Sequence, residues 1–264
     1  MVDELVEQHK PLAYILGNQP FHPLPVPLLV RPPTLIPRPE TEHWLSHLTT
    51  LLHPTSSKPF TILDIGTGTG CIPLALVCGL RSPSPSNSEA PNVRAIAVDK
   101  ADTAVSLARE NVERCKESVG DRVKILQADL FAPDFVDRVR STSTGGGGFD
   151  LVVSNPPYIP RKEYAELARS VKGWEDRGAL VGELRGGVEE LEADDDGLIF
   201  YRRISDILET LLVKERQTKD PVVAFEVGAG QASAVEELLR RKGLRAESFK
   251  DQWGVERMVV GYRV

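Results

Sequence analysis

The sequence predicts an α/β fold in which a mostly parallel sheet carries helices on both faces. Three observations lead there. From Phe60 onward, short apolar runs of strand length alternate with segments of helical periodicity. A glycine-rich turn, Gly66-Thr67-Gly68-Thr69-Gly70, joins the first of those strands to the first of those helices. Acidic residues, Asp99 and Asp129, stand where the second and third strands end.

Taken in order, residues 1–10 form a short polar start open to a helical turn. Residues 11–39 carry Pro20, Pro23, Pro25, Pro27, Pro32, Pro33, Pro37 and Pro39. Proline removes a backbone donor and fixes φ, so a long helix is excluded and extended segments such as 28–30, joined by turns into a hairpin, are expected. Residues 41–52 read as a helix, with Trp44, Leu45, Leu48, Leu51 and Leu52 near helical spacing. Strand 61–65 leads through the glycine turn into an apolar helix that runs to about Leu80. Strand 93–98, helix 102–115, strand 123–127 and strand 150–154 follow. A helix over 197–213, a strand over 222–227 and a helix over 231–242, closed by Gly243, come next. Strands 245–250 and 256–262 finish the chain. The stretches 82–91 (Ser/Pro-rich), 141–148 (ending in glycines) and 189–196 (acidic) read as surface insertions with little to add to a core. The expected division is an N-terminal segment, 1–55, and a main domain, 56–264, to which the chemistry below belongs.

Composition narrows the function. With 264 residues, 41% hydrophobic and 27% charged, the chain has the profile of a soluble globular protein. A net charge of −6 and a pI near 5.5 argue against binding nucleic acid mainly through phosphates, which calls for a basic excess or stripe. Cys71, Cys78 and Cys115 form no CxxC pair and have no histidine at metal spacing, so they read as reduced thiols, Cys71 and Cys78 as small core residues, and no metal is expected. No apolar run approaches the roughly 20 residues a membrane helix needs, and the N-terminus is too acidic and polar for a targeting segment.

The chemistry sits at the strand ends. Glycines between a strand and a helix permit a tight turn and close approach of a ligand to the backbone. Dinucleotide enzymes use such turns too, but phosphate binding is disfavoured because no Lys-Ser/Thr follows. Asp99, about thirty residues beyond the loop, stands where a carboxylate can accept both hydroxyls of a ribose. Asp129 is placed to meet an adenine amino group, with Leu130 and Phe131 against the ring. Either aspartate alone reads equally as a solvated cap; together they favour a nucleoside site.

After the fourth strand comes Ser154-Asn155-Pro156-Pro157-Tyr158. Two prolines hold the chain extended and keep a helix from starting at once. The Asn155 side chain and the Pro156 backbone then offer two carbonyl acceptors for one NH₂ group, and Tyr158 can pack on its plane. An amide nitrogen is a poor nucleophile because its lone pair is delocalised. Alignment with a sulfonium methyl, and support for the positive charge that develops, are what such a site must supply.

With these pieces the chain resembles the protein-glutamine N5-methyltransferases that modify class I peptide-chain release factors (the PrmC/HemK family). The matching stretches are Pro11–Gly17, Leu35-Ile36-Pro37-Arg38-Pro39-Glu40-Thr41-Glu42, Asp64–Gly70, Asn155–Tyr158, Phe225–Gly228 with Gln231, and Gly254–Arg257. The resemblance implies a Rossmann-like, seven-stranded class I S-adenosylmethionine-dependent methyltransferase fold with a small N-terminal hairpin and helix. It implies S-adenosylmethionine as cofactor, S-adenosylhomocysteine as product, and the glutamine of a Gly-Gly-Gln tripeptide as acceptor. The implied cofactor residues are Asp64, Gly66, Thr67, Gly68, Thr69, Gly70, Asp99, Asp129, Leu130 and Asn155. The implied catalytic residues are Asn155, Pro156 and Tyr158, and the glutamine pocket adds Pro157, Arg38, Glu40 and Thr41. Arg38 and Glu40 could equally form a structural ion pair.

Two departures stand out. The family carries a helical N-terminal domain that grips the release factor, whereas about ten residues precede the match here; either the chain is shortened or docking uses other surfaces. The family's Glu-Pro segment appears as Trp174-Glu175-Asp176, and an acidic insertion separates Gly186-Gly187 from Asp196-Gly197-Leu198. The insertions and the missing basic tract resemble eukaryotic organelle-type members, which implies a mitochondrial location and otherwise a cytoplasmic one. Neither nucleic acid nor membrane is an expected partner. Two other readings follow from the same residues: an adenine-N6 nucleic-acid methyltransferase, which needs base flipping and a basic groove, and a non-catalytic methyltransferase-like binding module.

Overall fold

A strand whose successive residues are apolar on both sides must be covered on both faces. In the computed structural model, which describes residues 2–55, 58–80, 90–143, 147–182, 195–214 and 219–264, that is how the sheet is built. The strands are β1 (Asn18–Gln19), β2 (Leu28–Leu29), β3 (Phe60–Ile65), β4 (Val93–Asp99), β5 (Val123–Gln127), β6 (Leu151–Ser154), β7 (Val223–Glu226), β8 (Leu244–Lys250) and β9 (Glu256–Arg263). The last seven form one sheet in the order β5-β4-β3-β6-β7-β9-β8. It is parallel from β5 to β7, and β9 runs antiparallel to both β7 and β8.

Neighbouring residues along each central strand enter opposite cores. Leu63, Val152, Phe225 and Val259 pack in one buried cluster with Tyr201, Leu208 and Leu239. Ile62, Val153, Ala224 and Val260 pack in the other with Trp44, Leu48 and Leu74. The helix Pro39–Leu51 thus belongs to the same core as the sheet.

The strand order reverses at β3, the first strand of this sheet, which has β4 on one side and β6 on the other. A cleft outside the carboxyl ends of the strands is the ligand position such a switch point creates.

The N-terminal hairpin pairs β1 with β2 antiparallel. Asn111 anchors it: its side chain accepts from the Leu29 N–H and donates to the carbonyls of Leu29 and Thr69, tying hairpin, helix and glycine turn together. Three local features depart from the expectation. A short helix, Leu12–Leu16, ends on left-handed Gly17 (φ 73°) within the segment read as extended. The helix expected from residue 41 starts at Pro39, because proline is tolerated at a first helical position. An unanticipated helix, Phe135–Thr142, buries Phe135 and Val139 and leads into the 141–148 stretch.

That stretch is less peripheral than expected. Gly148 (φ 96°) packs so closely that a Cβ there would meet the Leu211 carbonyl at 2.9 Å. Residues 82–89, 144–146 and 189–194 of the three expected insertions lie outside the described residues. Asp195 and Asp196 of the acidic stretch are firmly used. Asp195 accepts from the Arg161 and Lys162 amides, and Asp196 caps Leu198 and pairs with Arg202. Among the described residues no helix is long and apolar enough to cross a membrane, and no cluster of side chains is arranged to hold a metal ion.

Candidate active site

The carboxyl ends of β3, β4, β5 and β6 open onto a cleft of about 870 Å³, counted with its open mouth. Gly66 and Gly68 line it from the first turn, Asp99 and Ala101 from the second, Asp129 and Leu130 from the third, and Asn155, Pro156 and Pro157 from the fourth. Pro33, Thr34 and Leu35 line it together with Asp176, Gly178 and Ala179, and Phe200 adds an apolar wall. These two segments are joined by the Asp176 amide donating to the Pro33 carbonyl at 2.7 Å.

The glycine turn needs its glycines for backbone reasons. Gly66 and Gly68 have φ of 78° and 55°, a region that side chains disfavour, and both the Gly66 and Thr67 amides donate to the Val98 carbonyl. Gly70 shares the positive φ (81°) and adds a packing role. It precedes the helix Cys71–Gly79, and a Cβ on it would lie 3.4 Å from the Ala108 Cβ, so it permits close helix packing; it is not among the residues lining the cleft.

Asp99 is held by two backbone donors, the Gly68 amide at 2.9 Å and the Ala101 amide at 3.0 Å. Burial raises its pKa, and those amides pull against the rise. It therefore shapes the turn as well as facing the cleft. Asp129 is exposed, and its Oδ1 accepts from the Phe131 amide at 2.9 Å, the capping role weighed for it. Leu130 is buried, and Phe131 packs edge-on against Phe200 at 5.2 Å.

Asp64 lies beneath the turn, fully buried. Neither carboxylate oxygen has a hydrogen-bond partner among the described residues, and the Thr67 and Thr69 hydroxyls beside it are also unpartnered. Burial pushes the Asp64 carboxyl up to about 7; the Thr67 hydroxyl pulls it back from outside good hydrogen-bonding geometry, and the Asp99 charge adds to the rise. A buried carboxylate left in this condition is costly unless something satisfies it.

Asn155 follows β6, and its Nδ2 lies 3.4 Å from the Thr41 Oγ1. Thr41 is buried to 2%, sits below the asparagine and does not line the cleft. Arg38 pairs with the buried Glu175, not with Glu40. Tyr158 packs against the first core cluster, and burial, then the Glu226 charge, push its hydroxyl far above the usual tyrosine range.

Residues to which the sequence reading gave no site role hold this loop in place. Gln231 donates to the carbonyls of Tyr158 (2.9 Å) and Asp196 (3.0 Å) and accepts from the Gly228 amide (3.0 Å). Around it, a Cβ on Gly197 would sit 2.0 Å from the Tyr158 oxygen. Glu226, buried at the end of β7, accepts from Thr41 and Trp44. Glu226 and Gln231 lie in stretches that matched the family pattern, but nothing in their spacing discloses what they touch.

No protein-family profile matches the chain; relatives matched over two thirds or more of their length do. Release factor glutamine methyltransferase from Salmonella typhimurium is 34% identical over 256 residues, covering 97% of this chain and 76% of the relative. That of Chlorobaculum tepidum is 34% identical over 235 residues, covering 88% and 67%. Among solved structures, the one described as delta-N METTL16 MTase domain aligns over 97% of this chain and 96% of that chain, with a TM-score of 0.56 at 18% identity. That likeness carries the fold: a seven-stranded class I methyltransferase sheet. Sequence and fold together make the chain a methyltransferase, and it belongs to the release factor glutamine methyltransferase family.

Proposed function

We propose that this enzyme transfers a methyl group from S-adenosylmethionine to the side-chain amide nitrogen, N5, of the glutamine in a Gly-Gly-Gln tripeptide of a class I peptide-chain release factor. The observation that carries the reading is that Asn155 and Pro156 share one cleft with Gly66, Gly68 and Asp99. An acceptor amide and an adenosyl ligand would meet there.

The residues fit that cofactor. Asp99 offers carboxylate oxygens to a ribose, and Leu130 and Phe200 offer apolar surface to an adenine. The unpartnered Asp64 carboxylate beneath the turn suits a ligand-borne or water-borne donor. S-adenosylmethionine supplies an activated methyl on a sulfonium and leaves as S-adenosylhomocysteine. The protein's task is orientation. The carbonyls of Asn155 and Pro156 accept the two N–H groups of the glutamine amide, fix its plane and stabilise positive charge as it grows on nitrogen. The excess proton leaves after transfer, so a strong base is not required. Arg38, tied to Glu175, braces the loop before the helix Pro39–Leu51.

The organelle-type reading is supported by the loop insertions, while the relatives compared above are bacterial. The test therefore uses two substrates, a bacterial-type and a mitochondrial-type release factor, each incubated with S-adenosylmethionine. Mass spectrometry should find one added methyl, on the Gly-Gly-Gln glutamine. Robust transfer to DNA or RNA with none to either factor would replace this reading with the adenine-N6 one. Absence of cofactor binding by calorimetry would favour the non-catalytic module.

A further inference from the structure

Asn155 and Glu226 leave the sheet side by side, because Ser154 and Phe225 are register partners in the parallel pair β6–β7. Glu226 is buried to 2%. Its Oε2 accepts from the Trp44 Nε1 at 2.7 Å and from the Thr41 Oγ1 at 2.6 Å. Thr41 and Trp44 stand three residues apart on the helix Pro39–Leu51, so one helix face supplies both donors.

The donor inventory then decides which way Asn155 turns. An indole N–H only donates, an ionised carboxylate only accepts, and a threonine hydroxyl has a single proton. That proton is committed to Glu226. Toward Asn155, Thr41 presents lone pairs, and the Asn155 Nδ2 lies 3.4 Å away. The reverse amide orientation would set the asparagine carbonyl against those lone pairs and turn its NH₂ toward the cleft. There it would face the NH₂ it is meant to hold.

We propose that Glu226, acting through Thr41, is a positioning residue that sets the orientation of the Asn155 amide and keeps its carbonyl toward the methyl-accepting nitrogen. This rests on Asn155 holding the acceptor amide, and the experiment separates the two ideas.

Steady-state kinetics with a release factor and S-adenosylmethionine would compare Thr41→Val, Thr41→Ser, Glu226→Leu and Asn155→Ala, singly and combined. Valine keeps the volume of threonine without donor or acceptor. Thr41→Val should lower kcat roughly ten- to hundredfold, leave KM and cofactor affinity near wild type, and be rescued by Thr41→Ser. Glu226→Leu should cost a similar factor, and adding Thr41→Val to it, or to Asn155→Ala, should cost no more. If Glu226→Leu does not fold, the valine–serine pair and the Asn155→Ala background decide alone. Folded Thr41→Val with wild-type kcat, or an undiminished Thr41→Val effect in the Asn155→Ala background, would overturn the relay. Full turnover by Asn155→Ala would instead overturn the assignment of Asn155 itself.

Discussion

Asn155 and Asp99 face the same cleft from different strands, and their surroundings give them different work. Asn155 is held from below by Thr41 and has no part in the glycine turn. Replacing it with alanine should remove most turnover while leaving calorimetric affinity for the cofactor largely intact. Asp99 accepts from the Gly68 amide in that turn, so Asp99→Ala should weaken cofactor binding by roughly 1–3 kcal/mol. Equal loss of cofactor affinity in both variants would show this division of roles to be wrong. Asp64 adds a pH effect. Its folded pKa is about 7, above the value of roughly 3.9 expected when unfolded. Between those values the folded state holds the extra proton, so stability falls as pH rises through that window and levels off above it. Asp99, Glu175 and Glu226 shift in the same direction, so the informative quantity is a difference. Asp64→Asn should be more stable than wild type at pH 8 and equal to it near pH 4, by denaturant midpoint. Of these residues the sequence disclosed type and strand position; it did not disclose that Asp64 would lack a partner.

At the scale of elements, periodicity and turn chemistry were legible for every strand of the main sheet, with ends displaced by a residue or two. The segment from Ile159 to Leu198 was not. It contains the 3-10 turn Arg161–Glu166 and the helices Arg169–Lys172 and Arg177–Leu180, too short to carry a period. They are held by contacts such as Asp176 to Pro33 and Asp195 to Arg161, which local spacing cannot encode. The junction where this segment meets β7 and the helix Ile199–Leu211 is the brace of the acceptor loop. Gly197 has φ 73° and no room for a Cβ beside the Tyr158 carbonyl. Gly197→Ala should therefore cost roughly 1–3 kcal/mol of stability and should lower turnover more than cofactor affinity. Gln231→Leu, which frees two carbonyls and an amide, should behave alike, read by denaturant midpoint and by kcat. A variant that lost stability but kept full turnover per folded molecule would show the junction to be scaffold alone.

For the whole molecule, the cleft is assembled from the ends of β3, β4, β5 and β6 and closed by Pro33–Leu35 from the N-terminal segment. Ligand binding should then stabilise all of these together. S-adenosylhomocysteine at a hundredfold excess over its Kd should add roughly 2.7 kcal/mol, seen as a rise in Tm, and Asp99→Ala should shrink that rise at the same concentration. No rise in wild type would contradict the placement of the cofactor. The β-α alternation, the glycine turn, the Asn-Pro-Pro-Tyr loop and the family resemblance are each written in neighbouring residues whose backbone preferences are local. The pairing of Arg38 with Glu175, 137 residues away, and of Thr41 with Glu226, 185 residues away, arises from packing that brings distant segments together. Thr41 meets Glu226 because the helix Pro39–Leu51 packs against β7 and β9, and Glu175, in the chain between β6 and β7, reaches Arg38 just before that helix. A buried carboxylate then takes whichever donors that packing delivers, and short-range spacing carries no record of which they will be.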